Sequence, residues 1–527
     1  MEFRPALLAA LFATALYADN YQRQPAIDVQ HYVFNVTLSD ENDEVAGETT
    51  VSIRFVKDAS SFWLDLASAN AGKGMTVSEV SSNGAALKFT HADDRLTVAL
   101  AAPAHPGDLK SFTVKYRGAP AKGLLFPKNK FGDHAIFSVN WPDLAHQWLP
   151  TIDHPSDKAT SEFIVIAPAK YQVVANGLLQ EELDLGDGRR RTHWKQSVPI
   201  ATWLNNIGVA EFVSRHFARA AGVELQSWSF PKDRENGIVT LEEPLRQSIE
   251  FFNDHIGPYP YEKLAGVEAA GMGGGMEHAS EIFFGERSIS GRPGLGLVSH
   301  ETAHQWFGDS VTESDWDDVW LSEGFATYFS SLAIEHYQGH DALIQQMKRT
   351  RPGIFANEER MAGVAVVQSK PWSGIPNGIV YQKGGWSLHM LRGEIGDEKF
   401  WAAIREYYRR YRDSNATTAD FERTVEEVSG ADLHWFFQQW LYRPGSPVVE
   451  GVWHYDAAAK KVMLDLNQTQ PGDSYRLPIE VGVGGKVEKV QFMQMQQHFE
   501  IAADAEPSSV ELDPNVWLLI DAKLTKR

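Results

Sequence analysis

The hydrophobic period of the chain changes twice along its length, so one layer of one kind of secondary structure cannot accommodate it. From about Gln30 to Val213 apolar residues recur at every second position. Examples are His31-Tyr32-Val33-Phe34-Asn35-Val36-Thr37-Leu38, Thr49 to Val56 and Ser111 to Tyr116, punctuated by Asn83-Gly84, Arg117-Gly118 and Asp187-Gly188. That alternation builds half-buried strands joined by tight turns. A helical period follows. Leu245, Ile249, Phe252 and Ile256 mark one face of a stretch from about Leu241 to His255, which Gly257-Pro258 stops. Further helical stretches surround His300, Glu323 and Trp386, and another from Leu433 to Tyr442 ends at Pro444-Gly445-Ser446-Pro447. Short alternating runs then return, such as Lys461 to Leu466 and Val490 to Met493. The pattern predicts a multidomain α+β chain: a β domain over 19–213, a mixed α/β domain over 214–443 and a small β domain over 444–527.

A chain of 527 residues with a hydrophobic fraction of 43% can bury cores of this size. Its net charge of −20 repels phosphate, which argues against nucleic acid and favours cationic ligands such as amines and basic peptides. There is no cysteine, so any bound metal must sit on His, Asp or Glu. Residues 1–18 read as a signal peptide. Arg4 precedes an apolar run from Ala6 to Tyr17, and Ala13, Ala15 and Ala18 offer small residues for cleavage. The expected location is therefore periplasmic or secreted. That run is too short to span a bilayer well, and no other segment approaches the ~20 apolar residues a membrane helix needs.

The chemistry concentrates in Val298-Ser299-His300-Glu301-Thr302-Ala303-His304-Gln305-Trp306. On a helix, His300 and His304 lie one turn apart on one face and can grip one zinc ion, with Glu301 beside them in reach of a water. A catalytic site needs a third ligand. Glu323, in Trp320-Leu321-Ser322-Glu323-Gly324-Phe325-Ala326, supplies it eighteen residues after His304. Two His and one Glu leave a fourth position open, which is the catalytic rather than the structural zinc arrangement.

His-Glu-x-x-His, eighteen residues and then a Glu within Trp-Leu-x-Glu-Gly-Phe-Ala closely resembles the aminopeptidase N-like zinc metallopeptidases. These belong to the gluzincin group, which also contains leukotriene hydrolase. Gly274-Gly275-Met276-Glu277-His278 resembles the family's Gly-x-Met-Glu-Asn exopeptidase motif. Val380-Tyr381-Gln382-Lys383-Gly384-Gly385 resembles its Tyr-x-Lys-Gly motif, and Pro150 to Thr160 its Pro-x-x-Asp-x-Pro segment. The four matches fall in family order over about Asp28 to Pro447. The resemblance implies an N-terminal β saddle, a thermolysin-like catalytic domain and a small C-terminal β domain. It implies one Zn2+ per chain on His300, His304 and Glu323, with Glu301 as general base and Tyr381 as hydrogen-bond donor to the oxyanion. Glu277 would bind the α-ammonium of a peptide, with Gly274, Gly275 and Met276 lining its path. Asp318 matches a family Asp and is a candidate partner of a metal ligand, or an ordinary helix-start carboxylate.

The chain departs from that pattern at two positions. His278 stands where relatives carry Asn. Trp141 stands where they carry a Gln or Glu that also grips the amine; Asp143 is the neighbouring carboxylate. The expected function is a zinc aminopeptidase acting on peptide substrates. Trp141 keeps open a zinc endopeptidase or broader amide hydrolase with a relaxed need for a free N-terminus. A catalytically silent peptide-binding protein is disfavoured, because Glu301 and Tyr381 are both present.

Overall fold

A computed structural model of the chain describes residues 21–367 and 378–527. The leader read over 1–18 lies outside the described residues. Among those described, no helix is long and apolar enough to cross a membrane.

The period-two region forms three sheets. The largest has eight strands, in the order Leu178–Asp184, Arg189–Ala201, Lys158–Pro168, Ile27–Thr37, Val45–Phe55, Leu109–Ala119, Gly74–Ser82 and Ala85–Ala86. Alternate residues such as Tyr32, Phe34 and Val36 are buried, as alternation demands. The phase slips once, at a bulge between Val29 and His31, which keeps both Val29 and Tyr32 inside. Ile27–Thr37 pairs in parallel with Lys158–Pro168, so the first strand is locked beside the Pro150–Thr160 segment.

The middle region opens on a five-stranded mixed sheet, in the order Val213–Ala220, Val223–Ser229, Lys263–Ala269, Glu281–Gly285 and Gly275–Met276. Around it pack the helices α1 (Glu243–His255), α2 (Leu295–His304), α3 (Trp320–Gln338), α4 (His340–Arg360), α5 (Gly384–Ile395), α6 (Asp397–Tyr411) and α7 (Thr418–Ser429). Phe307, Phe325, Phe329, Tyr407 and Phe421 form a buried aromatic core between α2, α3, α6 and α7. The last strands form one four-stranded and one three-stranded sheet. The N-terminal β-rich domain, mixed α/β region and C-terminal sheets agree with the architecture expected from the sequence.

One helix differs from that expectation. Helical structure begins not near Leu241 but at Arg234, and passes through a π turn at Ile238–Glu242 before α1. Pro244 stands in the first turn of α1. Its ring nitrogen has no hydrogen to donate to the Thr240 carbonyl four residues back. That carbonyl instead accepts from the Gly294 amide at 3.2 Å, and the Thr240 hydroxyl oxygen accepts from the Gly291 amide at 3.0 Å. Gly294 is the residue that caps the start of α2.

Candidate metal centre and substrate cleft

α2 and α3 meet at their functional ends: α2 presents its last turn and α3 its first. His300 and His304 lie one turn apart, with ring centroids 4.8 Å apart. Glu323 lies in the first turn of α3, where the helix dipole favours an anion. Their ligand atoms form a compact triangle. His300 Nε2 is 3.2 Å from His304 Nε2 and 3.6 Å from Glu323 Oε2, and His304 Nε2 is 3.3 Å from that same oxygen. Ligands roughly 2.0–2.1 Å from a tetrahedral zinc stand roughly 3.3–3.4 Å from one another, so the triangle has the size that zinc requires. Glu323 Oε2 is buried and has no hydrogen-bond partner among the described residues, which is the state of an oxygen reserved for a cation. The donor set fits zinc in size, chemistry and orientation.

Neighbouring side chains hold the three in place. Ser322 Oγ lies 2.9 Å from His304 Nδ1, which orients the ring so that Nε2 faces the other two ligands. Gly308, at φ +116°, makes room for this contact, since a Cβ there would lie 2.3 Å from Ser322 Oγ. Tyr381 donates its hydroxyl to Glu323 Oε1 at 2.5 Å, occupying the second oxygen of that carboxylate. The hydroxyl that the resemblance assigns to the oxyanion thus rests on the ligand Glu323. Burial, and then the Glu323 charge, raise the Tyr381 pKa, so the phenol keeps its proton. Asp318 sits in the turn before α3, and its carboxylate accepts from the Thr418 hydroxyl at 2.6 Å. The hydrogen-bond partner of His304 Nδ1 is Ser322, not Asp318.

Glu301 and Glu277 face each other beside His304, with ligand atoms within 4.8 Å of one another. Burial pushes both carboxyls above the ordinary range, and for Glu301 the Glu277 charge adds to it. Burial also opposes ionisation of Glu323, but the His304 charge and the close approach of both imidazoles outweigh it and bring that carboxyl to about 2.

Gly275–Met276 is the outermost strand of the five-stranded sheet, so its outer edge is open to an extended peptide. Gly274 turns into it at φ +68°. The contact with Glu301 requires glycine at 275, because a Cβ there would lie 2.3 Å from Glu301 Oε1. Met276 is buried behind the strand. Glu277 is 5% exposed, and its Oε1 has no partner among the described residues. Its backbone is tied to α2 by Gln305, whose Nε2 donates to the Glu277 carbonyl at 3.0 Å and to Asp309 Oδ2 at 2.8 Å. Gln305 Oε1 accepts from the Ser280 amide and the Tyr259 hydroxyl.

His278 is buried with its ring edge-on to Phe283; burial brings its pKa to about 3, so it is a neutral core residue. Trp141 packs edge-on against Trp316, centroids 6.3 Å apart. Sequence motifs single out neither Ser322 nor Gln305. Their one signal is position, each lying next to a metal ligand in the chain.

Comparison with known proteins locates the chain among relatives. The model described as "Peptidase M1 N-terminal domain" matches residues 28–204, and "Peptidase family M1 domain" matches 241–440. Glutamyl aminopeptidase of Mus musculus is 26% identical over 496 residues, covering 87% of this chain and 52% of the relative. "Probable aminopeptidase 2" of Sulfurisphaera tokodaii is 25% identical over 474 residues, covering 84% of this chain and 58% of the relative. The chain therefore spans little more than half the length of these curated relatives. The crystal structure of an M1 zinc metallopeptidase from Deinococcus radiodurans superposes with a TM-score of 0.68 at 25% identity, covering 80% of this chain and 95% of that one.

Proposed function

Because the chain belongs to peptidase family M1, we propose that it is a zinc-dependent aminopeptidase that removes residues from the N-termini of peptides. The observation that carries this reading is Glu277: a buried carboxylate with an unpartnered oxygen, at the open edge of a strand and facing Glu301. A carboxylate so placed is the natural partner of an α-ammonium, and only a chain end brings one.

His300, His304 and Glu323 would hold the ion. Zinc, when bound, supplies Lewis-acid polarisation of the scissile carbonyl and makes water acidic enough to attack at neutral pH. The remaining steps fall to side chains. Glu277 takes the substrate ammonium, and the Gly275–Met276 edge aligns the peptide backbone. Glu301 accepts a proton from the attacking water and passes it to the departing nitrogen. Tyr381, whose hydroxyl rests on Glu323 Oε1, turns it to the developing oxyanion and stabilises the charge that appears there. We also infer export to the periplasm or the exterior, on the leader-like residues 1–18 alone.

Two variants test this. Glu277→Ala is expected to lower kcat/KM for free peptides about 10- to 150-fold, the value of a charge-assisted hydrogen bond of about 1.5–3 kcal/mol. N-acetylated peptides, which carry no ammonium, should be hydrolysed as by wild type. Equal losses on both substrates would show that Glu277 is structural. Gly275→Ala must displace the Glu301 carboxyl. Since a misplacement of about 1 Å costs about 10²-fold, kcat should fall by about that factor at unchanged zinc content. Wild-type kcat in Gly275→Ala would separate Glu301 from the chemistry.

A second reading rests on Trp141. Relatives of the resembled family carry a polar group there, and here an indole packs on Trp316. With one carboxylate reading the amine, the need for a free N-terminus is relaxed, and the activity shades towards a broader amide hydrolase or endopeptidase. The ratio of kcat/KM for matched free and acetylated peptides decides between the two.

A further inference from the structure

Tyr381 lies not in a regular helix but in a π turn, Gly378–Lys383, which leads directly into α5. A π turn is a rare departure from α-helical geometry, most often a single turn at a functional site. Something outside it can fix the tyrosine hydroxyl.

Lys383 is the candidate. Its side chain is 1% exposed, and its ammonium lies 2.8 Å from Glu358 Oε1 and 2.7 Å from the Gly445 carbonyl oxygen. Glu358, on α4, is 9% exposed and accepts a second hydrogen bond from Ser446 Oγ at 2.9 Å. The Gly445 carbonyl also accepts from the Tyr475 hydroxyl at 3.0 Å, and the Arg443 guanidinium lies 3.7 Å from the Tyr475 ring centroid. Three parts of the chain thus converge on one ammonium: the Tyr381 turn, the end of α4 and the linker into the C-terminal sheets. The turn also presses closely on α4. A Cβ on Gly378 would lie 2.3 Å from the Asn357 side chain, so the turn is seated at both ends.

We propose that Lys383 is a positioning residue: through its buried pair with Glu358 and its hold on Gly445, it fixes the turn that aims Tyr381 at the reacting carbonyl. A further role follows for the C-terminal sheets, whose linker supplies Gly445 and Ser446. They act as a backstop for a residue of the cleft. Both statements rest on the reading of Tyr381 as the oxyanion donor.

Removing Lys383 alone would leave Glu358 buried and unpaired, which risks the fold. Removing both charges while conserving volume is close to neutral for many buried pairs, so the test uses the double variant Lys383→Met/Glu358→Gln. The glutamine keeps an acceptor for Ser446. Zinc content and Tm should stay near wild type. On a free peptide substrate, kcat should fall about 10- to 100-fold with KM nearly unchanged, the scale of a misplaced oxyanion donor. The deciding arm repeats the substitutions in a Tyr381→Phe background, where no hydroxyl remains to be aimed. Less than about a twofold further loss of kcat is expected there, because residues acting as one unit are non-additive. If the folded double variant keeps wild-type kcat, or loses the same factor with and without Tyr381, the positioning role is wrong while the Tyr381 reading stands. If Tyr381→Phe itself keeps wild-type kcat, both are wrong.

Discussion

Glu301→Gln is expected to keep zinc and lose about 10²–10⁴ in kcat, the usual worth of a general base. The amide has nearly the shape of the carboxyl, so the packing against Gly275 survives. It cannot accept the water's proton, and so cannot return one to the leaving nitrogen. His300, His304 and Glu323 are untouched, so metal analysis should still give one zinc per chain. KM should move little, because the substrate ammonium is read by Glu277 and not by Glu301. Wild-type turnover by this variant, at full zinc content, would falsify the assignment of the base.

His304→Ala is expected to abolish both tight zinc binding and turnover. The triangle loses the corner common to its two short edges, 3.2 and 3.3 Å, and the remaining pair stands 3.6 Å apart. The loss should exceed the 10–100-fold typical of removing an outer partner, which is the effect expected of Ser322→Ala. A chelator supplies the control. Zinc that binds only the folded chain stabilises it by about 4.1 kcal/mol when free zinc is about a thousandfold above Kd. Chelation should therefore lower the Tm of wild type and leave that of His304→Ala where it was. A variant that retains stoichiometric zinc and responds to chelator like wild type would place the metal elsewhere.

Much of this molecule was legible before any coordinates. Period-two alternation is a local signal, and so the strands around Tyr32, Phe34 and Val36 could be read directly. His300 and His304 are four apart, and helical geometry alone places them on one face. What could not be read is what depends on distance in space between residues distant in the chain. Ser322 on His304 requires the crossing of α2 and α3. The parallel pairing of Ile27–Thr37 with Lys158–Pro168 joins segments far apart in sequence, and no periodicity reports it. The short helical and π turns that precede α1 are not legible either, because the apolar face opens only at Leu241. The resting place of the Tyr381 hydroxyl, on Glu323 Oε1, is likewise a matter of side-chain reach that motif spacing does not encode.

The Thr240 carbonyl links two helices by accepting from the Gly294 amide, since Pro244 has no amide hydrogen to offer it. In an uninterrupted helix it would be consumed by the amide four residues on; with Pro244 there, it is available to Gly294 and seats the first turn of α2. The register of His300 and His304 is therefore tied to a residue far upstream that touches neither of them. A library that varied only the cleft would never sample that dependence. One that replaced Pro244 with a good helix former, a routine stabilising choice on propensity grounds, would reintroduce a competing donor at the root of the metal-binding helix. Stability gained in α1 would then appear as a shared drift of the two imidazoles relative to Glu323.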